Sequence, residues 1–327
     1  MAHKVAILFG AGASKGAGYV TPCIPPVMNE LFDRLAKHFP QEWGRRSPYW
    51  VHAEKFKQDF EGTFSEVVLK QYKDDSLPRI TLPTLSILEN QRNLALYFSR
   101  FDLDSSGRDL YSRLLSFLLE GGLIEHSTFG SLNYDCLFDQ AIQRLGLLID
   151  YSCGETEPKT IRVAKVHGSC NFVTETIDEN MRAQLASPGI RYERKVIFLP
   201  PVNVEKSLKD RIVGLEPAHL PIMSQISPAK EDLLAPSQVQ QCRNRWRDAV
   251  LNASKLAIIG VSPNPNDTHI WEPIKDASAK LLYIGSTSHF KVWASLSKDS
   301  KHLGRTFKQG FDSLIRELIC ETSGKKM

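Results

Sequence analysis

The segment Val5-Ala-Ile-Leu-Phe9-Gly10-Ala11-Gly12-Ala13-Ser14 is the strongest indication of fold in this 327-residue chain. The continuous apolar run Val5–Phe9 is typical of a strand that is buried on both faces of a parallel sheet. The small residues that follow are typical of a tight turn into a helix, where glycines let backbone amides approach a pyrophosphate. The candidate phosphate-binding residues of this turn are Gly10, Ala11, Gly12 and Ser14.

The glycine-rich turn departs from the common phosphate-binding motifs. In the dinucleotide motif G-x-G-x-x-G the third glycine would stand where Lys15 is, and Gly16 comes one place late. The acidic residue expected about 20 positions further on is also missing, because Glu30 and Asp33 fall on a predicted helix. No Gly-Lys-Ser/Thr ends the segment, so it is not a P-loop. A turn needed only for packing is the alternative to a phosphate site.

Further apolar and β-branched runs predict more strands, separated by helical patterns. These strands are Ser127–Leu132, Ile161–Val166, Lys195–Leu199, Leu256–Ile259 and Leu281–Ile284. The alternation predicts an α/β fold, Rossmann-like, with a mostly parallel sheet and helices on both faces. We expect a single domain over residues 1–327, a mostly helical insertion or subdomain at about 30–122, and a long loop with little regular structure at 203–240.

Composition excludes several classes of protein. No apolar run approaches the ~18 residues of a membrane span, and the apolar run near the N-terminus is too short for a signal peptide. The six cysteines form no C-x-x-C pair, so we expect reduced thiols, no zinc module and a cytoplasmic protein. The net charge of +4 is dispersed among acidic residues, which argues against direct nucleic-acid binding.

Ser131-Leu-Asn133-Tyr-Asp135 follows the predicted middle strand. Either Asn133 or Asp135 can simply cap the next helix, which is the ordinary role of such residues. In the functional interpretation, Asn133 points from the strand end to a ligand and holds a ribose hydroxyl or an attacking water. Ligands of parallel sheets bind at the carboxyl ends of the strands, where this segment is predicted to lie.

Two more predicted strands end in segments of the same kind. Lys165-Val-His167-Gly168 places a histidine, which can act as a base near neutral pH, beside a glycine that would leave space for a ligand. The alternative is a hydrogen-bonded core histidine. Gly260-Val-Ser262, with Asp267 shortly after, can hold the adenosine half of a dinucleotide or form an ordinary turn.

The order and spacing of these four segments resemble the sirtuin superfamily over about residues 4–290. Trp246 on the helix before Leu256 fits the same pattern, as does Ile197-Phe-Leu-Pro-Pro201. Protein deacetylases of this superfamily carry two C-x-x-C pairs that bind zinc, and this chain has none. Their Gln-Asn-Ile-Asp motif reads Leu132-Asn133-Tyr-Asp135 here, and the Phe-Arg after their glycine turn is absent. With these features, the chain more closely resembles the sirtuin-like NADase domains of bacterial antiphage defence systems.

The resemblance implies hydrolysis of NAD to nicotinamide and ADP-ribose, with Asn133 and His167 as the essential residues and no metal. It also implies an NAD-depleting effector that is activated by homo-oligomerisation or by a partner defence protein, such as an NTPase or a nucleotide-processing enzyme. The remaining candidate binding residues are Asp135, Gly168, Gly260, Ser262 and Asp267. An NAD-dependent protein deacylase and a non-catalytic NAD or ADP-ribose sensor are the alternatives.

Overall fold

The computed structural model describes residues 4–64, 66–67, 82–151, 160–176, 193–212, 219–224 and 234–319. The strands are β1 (Val5–Phe9), β2 (Val20–Thr21), β3 (Asp102–Leu103), β4 (Ser127–Ser131), β5 (Leu148–Asp150), β6 (Thr160–Lys165), β7 (Gly168–Thr174), β8 (Val196–Phe198), β9 (Pro221–Met223), β10 (Lys255–Ile259), β11 (Lys280–Ile284) and β12 (Ser300–Gly304). The helices are α1 (Ala11–Gly16), α2 (Met28–His38), α3 (Ala53–Gln58), α4 (Phe60–Phe64), α5 (Leu82–Phe98), α6 (Leu110–Glu120), α7 (Leu137–Arg144), α8 (Val204–Ile212), α9 (Pro236–Leu251), α10 (Thr268–Asp276), α11 (Thr287–Ala294) and α12 (Phe307–Ile319).

Seven strands form a central sheet in the order β12-β11-β10-β1-β4-β6-β5. Every neighbouring pair is parallel, which confirms the predicted Rossmann-like α/β fold. From β1 the chain builds the sheet outward through β4, and it later returns to add β10 on the other side of β1. The carboxyl end of β1 is therefore the topological switch point, where ligands of such sheets bind.

Alternate side chains of β1 enter separate cores on the two faces of the sheet. Ile7 and Phe9 pack into the larger core, and Leu8 packs into the smaller one, where Trp246 of α9 is fully buried. Both faces are thus covered by apolar side chains, which explains why the strand has no polar residue. The larger core extends without a break into the aromatic side chains of α2–α4, including Phe32 and Phe56.

The prediction of a long irregular loop at 203–240 is wrong. Within this range the chain forms α8, the strand β9 and the start of α9. Val204 and Leu208 of α8 are buried one helical turn apart, and Pro236 occupies the first turn of α9, where its missing N–H costs nothing. The predicted strand at Lys195–Leu199 exists as β8, but it belongs to a separate antiparallel sheet of order β8-β7-β9.

Most of the described residues between 28 and 120 are helical, as α2 to α6. The short strand β3 in this range pairs with β2, which precedes it at Val20–Thr21. No helix in the described ranges is long and apolar enough to cross a membrane. Cys136 and Cys170 are free, buried thiols with their sulfurs 3.6 Å apart. Cys153 and Cys320 lie outside the described residues.

Candidate active site

The sequence-predicted segments meet at one edge of the central sheet. The register pairs Phe9 with both Ile259 and Ser131, and Ser131 with Lys165, so that β10, β1, β4 and β6 end side by side. Adjacent strands lie about 4.8 Å apart. The residues that follow these four strand ends therefore line one continuous edge at the switch point.

The glycines of the first turn serve close backbone packing. The Gly10 N–H donates to the Ile259 carbonyl at 3.0 Å, and the Gly12 N–H donates to the Gly260 carbonyl at 2.9 Å. Gly260 has φ +65°, and a Cβ there would overlap the backbone nitrogen of Ala13. The amides of Gly10 and Gly12 are thus committed to the protein, and both turns need glycine because their backbones touch.

Ala11 is the residue of this turn whose amide is left for a ligand. It begins α1, and within the described ranges its N–H donates to no protein acceptor. The N–H groups at the start of a helix carry partial positive charge, which suits an anionic group. Of the candidate phosphate-binding amides in this turn, that of Ala11 therefore remains the one we expect to contact a phosphate.

Asn133 ties the end of β4 to the glycine-rich turn. Its Nδ2 donates to the Gly10 carbonyl and to Ser14 Oγ, both at 3.0 Å. These two bonds use both hydrogens of the amide, so Oδ1 is the side-chain atom that remains to accept a hydrogen bond from a ligand. Asn133 thus makes no capping bond to α7. Asp135 precedes Cys136, the N-cap of α7, and its Oδ1 accepts from the N–H of Leu137, the first residue of the helix, at 3.1 Å.

Ser14 lies at the centre of a buried hydrogen-bond network. Its Oγ is 3.1 Å from the Tyr111 hydroxyl and donates to Asp135 Oδ1 at 3.2 Å, in addition to accepting from Asn133. Burial raises the pKa of Asp135 above its usual range and raises the pKa of Tyr111 well above its own. Ser14 and Asp135, both predicted to touch ligand, are hydrogen-bonded to each other in this network.

Lys165, at the end of β6, completes this network from the other side. Its Nζ lies 2.9 Å from Asp139 Oδ2 on α7 and donates to the Asp135 carbonyl at 2.7 Å. The other Asp139 oxygen accepts from the Tyr151 hydroxyl at 2.6 Å. Burial alone would lower the pKa of Lys165, but the nearby acidic groups, chiefly Asp139, outweigh it and raise that pKa. Lys165 is a buried, charged structural residue.

His167 lies on a separate cluster of side chains. Its Nε2 is 3.1 Å from Nε2 of His269 and 3.5 Å from Oδ1 of Asp267. His167 and Asp267 are buried, and His269 is half-buried. The Nε2 edge of the His167 ring thus faces a second imidazole and a carboxylate. We call these three residues the His-Asp-His cluster.

The loop after β10 brings Asp267 to this cluster. β1 and β4 separate β10 from β6 in the sheet, so the loop crosses their ends to reach His167. Asp267 occupies the N-cap of α10, but its side chain makes no capping hydrogen bond to the helix. Ser262, earlier in the loop, is exposed. The loop therefore delivers Asp267, and not Ser262, to the histidines.

Gly168 has a structural reason to be glycine. Its φ is +72°, and a Cβ there would overlap the carbonyl oxygen of Ile222 on β9. The space beside His167 that the sequence attributes to a ligand is occupied on this side by backbone. The Ser224 N–H also donates to the His167 carbonyl at 2.9 Å, which fixes the backbone of His167 against β9.

His269 is the residue that sequence reasoning missed. It follows Asp267 by two positions at the start of α10 and lies 102 residues from His167 in the chain. The Asp-x-His spacing after a predicted strand was the available signal, because both side chains can ligate a metal or exchange a proton and the carboxyl ends of parallel strands are where ligands bind.

No protein-family profile matches this chain, and no curated protein sequence matches it significantly. By its seven-stranded parallel sheet this chain is a Rossmann-like α/β protein, and buried polar side chains line the switch point of that sheet.

Proposed function

We propose that this chain hydrolyses the N-glycosidic bond of NAD to release nicotinamide and ADP-ribose. The observation that carries the proposal is the position of Asn133 and His167. Each lies two residues beyond the register pair Ser131 and Lys165, which ends the adjacent parallel strands β4 and β6 next to the switch point. Since paired strands lie about 4.8 Å apart, we propose that both side chains reach one ribose.

In this proposal the side chains have distinct roles. The Oδ1 atom of Asn133 accepts a hydrogen bond from a ribose hydroxyl or from the attacking water, since its Nδ2 is already committed. The C1′–nitrogen bond breaks through an oxocarbenium-like state, and nicotinamide leaves as a neutral molecule. Water adds to C1′, and His167 Nε2 accepts the proton that the water loses.

The neighbours of His167 suit it to this task. A carboxylate at 3.5 Å stabilises the imidazolium that forms when the ring takes up a proton. Tight binding of the ADP half, with the Ala11 amide on a phosphate, orients the bond that breaks. Buried Asp135 and Lys165 support the strand ends and do not touch the substrate.

The test is product analysis with NAD on wild type, His167→Ala and Asn133→Ala. Loss of a general base lowers turnover by about 100- to 10,000-fold, which we expect for His167→Ala. We expect about a 100-fold loss for Asn133→Ala, the scale of removing one oriented polar group. His126→Ala, on an exposed 3-10 turn, is the matched control and should retain full activity.

Each alternative has its own signature in that assay. Nicotinamide release that requires an acylated peptide would identify a deacylase. NAD or ADP-ribose binding by calorimetry, without products under any activating condition, would identify a sensor and contradict hydrolysis.

We further propose that the activity serves NAD depletion in bacterial antiphage defence. The support is the resemblance of the motif set to sirtuin-like NADase domains. Such an activity must be held silent, so we propose activation through self-assembly or through a partner protein. Light scattering combined with the NAD assay tests this, and a fully active isolated monomer would contradict it.

A further inference from the structure

We propose that the His-Asp-His cluster is a binding site for a divalent transition-metal ion of the zinc class. The ligand atoms are Nε2 of His167, Nε2 of His269 and a carboxylate oxygen of Asp267. All three lie within 4.8 Å of one another. Two imidazoles and one carboxylate form a donor set that Zn²⁺ and Fe²⁺ both use in proteins, with at least one coordination position left open.

The spacing of the ligand atoms matches coordination to one small ion. Two ligands at 2.0–2.1 Å from a tetrahedral zinc are separated by about 3.3 Å. The observed separations from His167 Nε2 are 3.1 Å to His269 and 3.5 Å to Asp267. The third separation, between the ligand atoms of His269 and Asp267, is at most 4.8 Å, so a shared ion would draw these two side chains closer together.

The chemistry of the cluster also favours a cation. Two neutral imidazoles that face each other through Nε2 must place a hydrogen on one of them, whereas an ion uses both lone pairs at once. Asp267 turns its carboxylate to the histidines although it occupies a helix N-cap. Buried carboxylates are normally paired with a cation or coordinated to a metal.

The consequence for catalysis rests on the proposed function. Nε2 of His167 has one lone pair, so it cannot hold a metal and accept a proton from water at the same time. Zinc occupancy and NAD hydrolysis are then alternative states of the same residue. Bound zinc would keep the enzyme silent, and removal of the metal would release it.

The first experiment measures binding without NAD. Chelator-treated full-length protein is titrated with ZnCl₂ by calorimetry, and we expect one site per chain. Asp267→Asn and His269→Ala should each weaken it by at least about 100-fold, the upper end of what losing even a supporting side chain costs. The control His126→Ala should bind as wild type does. Absence of the stoichiometric site, or unchanged affinity in both ligand variants, would overturn the proposal.

Two further measurements guard against misfolded variants and identify the ion. Zn²⁺ should raise the unfolding temperature of wild type and leave that of Asp267→Asn unchanged. Parallel titrations with Co²⁺, Fe²⁺ and Mg²⁺ should give binding for the first two and none for Mg²⁺, which prefers all-oxygen sites. Tight Mg²⁺ binding at this site would contradict the assigned class of ion.

Finally, the NAD assay is run with added ZnCl₂ and then with excess chelator. We expect zinc to inhibit nicotinamide release and the chelator to restore it. Zinc binding without NAD turnover in the metal-free protein under any activating condition would refute the hydrolase and leave the metal site standing. Turnover without zinc binding would do the reverse. Zinc binding with turnover unchanged or increased would refute the competition between the two.

Discussion

Two clusters of buried polar side chains lie on the same edge of the sheet, and they differ in how their polar atoms are used. The first, which we call the Ser14 network, joins Ser14, Asn133, Asp135 and Lys165 with Asp139. Its bonds run between α1, α7 and the ends of β4 and β6. Most of the charges and hydrogen-bonding groups of the network are paired with one another, as is usual for buried polar groups in stable proteins.

The His-Asp-His cluster has the opposite character. It brings two proton-accepting nitrogens and a carboxylate toward one another, an arrangement that gains most from a proton or a cation between them. A polar residue at a strand end can therefore serve the structure alone, as Lys165 does through its bonds to Asp139 and Asp135. Changes at the other members of the Ser14 network should cost stability, whereas Asn133, whose Oδ1 is left for the substrate, should affect activity as well. Changes in the His-Asp-His cluster should cost activity with little effect on stability.

The largest effect is expected for Lys165→Met. It removes one partner of a fully buried ion pair and leaves Asp139 charged, which costs about 3–5 kcal/mol of unfolding free energy. Urea unfolding measures this, with Lys308→Met on an exposed position as the control. Adding Asp139→Leu to Lys165→Met should recover part of the loss. A change of less than about 1 kcal/mol in the single variant would show that the Ser14 network is not structural.

The central strands could be predicted because burial on both faces leaves a continuous apolar run. The predicted strand Val5–Phe9 is β1 residue for residue, and Leu281–Ile284 differs from β11 by one residue. β12 reads Ser-Lys-His-Leu-Gly at the partly exposed edge of the sheet, so it has no such run and was missed. Charged and polar residues on an edge strand discourage pairing with another chain. The same residues interrupt the apolar run by which a buried strand is predicted from sequence.

The candidate site was predictable only as a set of strand ends. Asn133 and His167 stand out by following buried strands, but the partners that define their chemistry are remote in sequence. His269 meets His167 because a loop crosses two strand ends, and Asp139 meets Lys165 because α7 packs against β5, the neighbour of β6 in the sheet. The glycine-rich turn has the sequence pattern of a phosphate-binding loop, but the amides of Gly10 and Gly12 bond to the carbonyls of Ile259 and Gly260. The local sequence does not reveal these partners, because they lie about 250 residues away in the chain.

Gly260→Ala should damage both clusters, because Gly260 touches the glycine-rich turn and also begins the loop that carries Asp267. A left-handed backbone costs a non-glycine residue about 1–2 kcal/mol, and overlap with Ala13 adds about 1–3 kcal/mol. Gly107→Ala is the matched control, since Gly107 has the same φ of +65° but no atom near its Cβ position. Urea unfolding of the two variants isolates the overlap, and equal losses would contradict the close packing.

In the metal-free protein, where zinc inhibition plays no part, Asp267→Asn should lower NAD turnover by about 10- to 100-fold, the usual cost of losing a side chain that supports a catalytic group. Its effect should vanish in a His167→Ala background, because Asp267 acts through His167 at 3.5 Å. Initial rates of the two single variants and the double variant measure this coupling. Additive losses of turnover would show that Asp267 contributes independently of His167. If Asp267→Asn lowered the unfolding free energy as much as Lys165→Met does, the His-Asp-His cluster would be as important for stability as the Ser14 network, contrary to the comparison above.

The smallest effect is expected from the pH dependence of Asp135, whose burial raises its pKa above the ordinary 3.8. As the pH rises past 3.8, the unfolded chain loses this proton first, so the folded state binds more protons and the free energy of unfolding falls. The fall ends once the folded carboxyl has also ionised. Asp135→Asn keeps an oxygen for the Leu137 N–H and cannot ionise, so this part of the fall should disappear.

Urea unfolding from about pH 3.5 to pH 7 measures the difference, which amounts to about 1.4 kcal/mol for each unit by which the folded pKa is raised. Asp312→Asn, at an exposed position on α12, is the control and should follow the wild-type curve. If Asp135→Asn also runs parallel to wild type, the carboxyl is not held in a desolvated site. If instead the unfolding free energy of wild type rises with pH relative to that of Asp135→Asn, the charge of Lys165 lowers the pKa of Asp135 by more than burial raises it. Asp135 would then be a charged partner of Lys165, as Asp139 is.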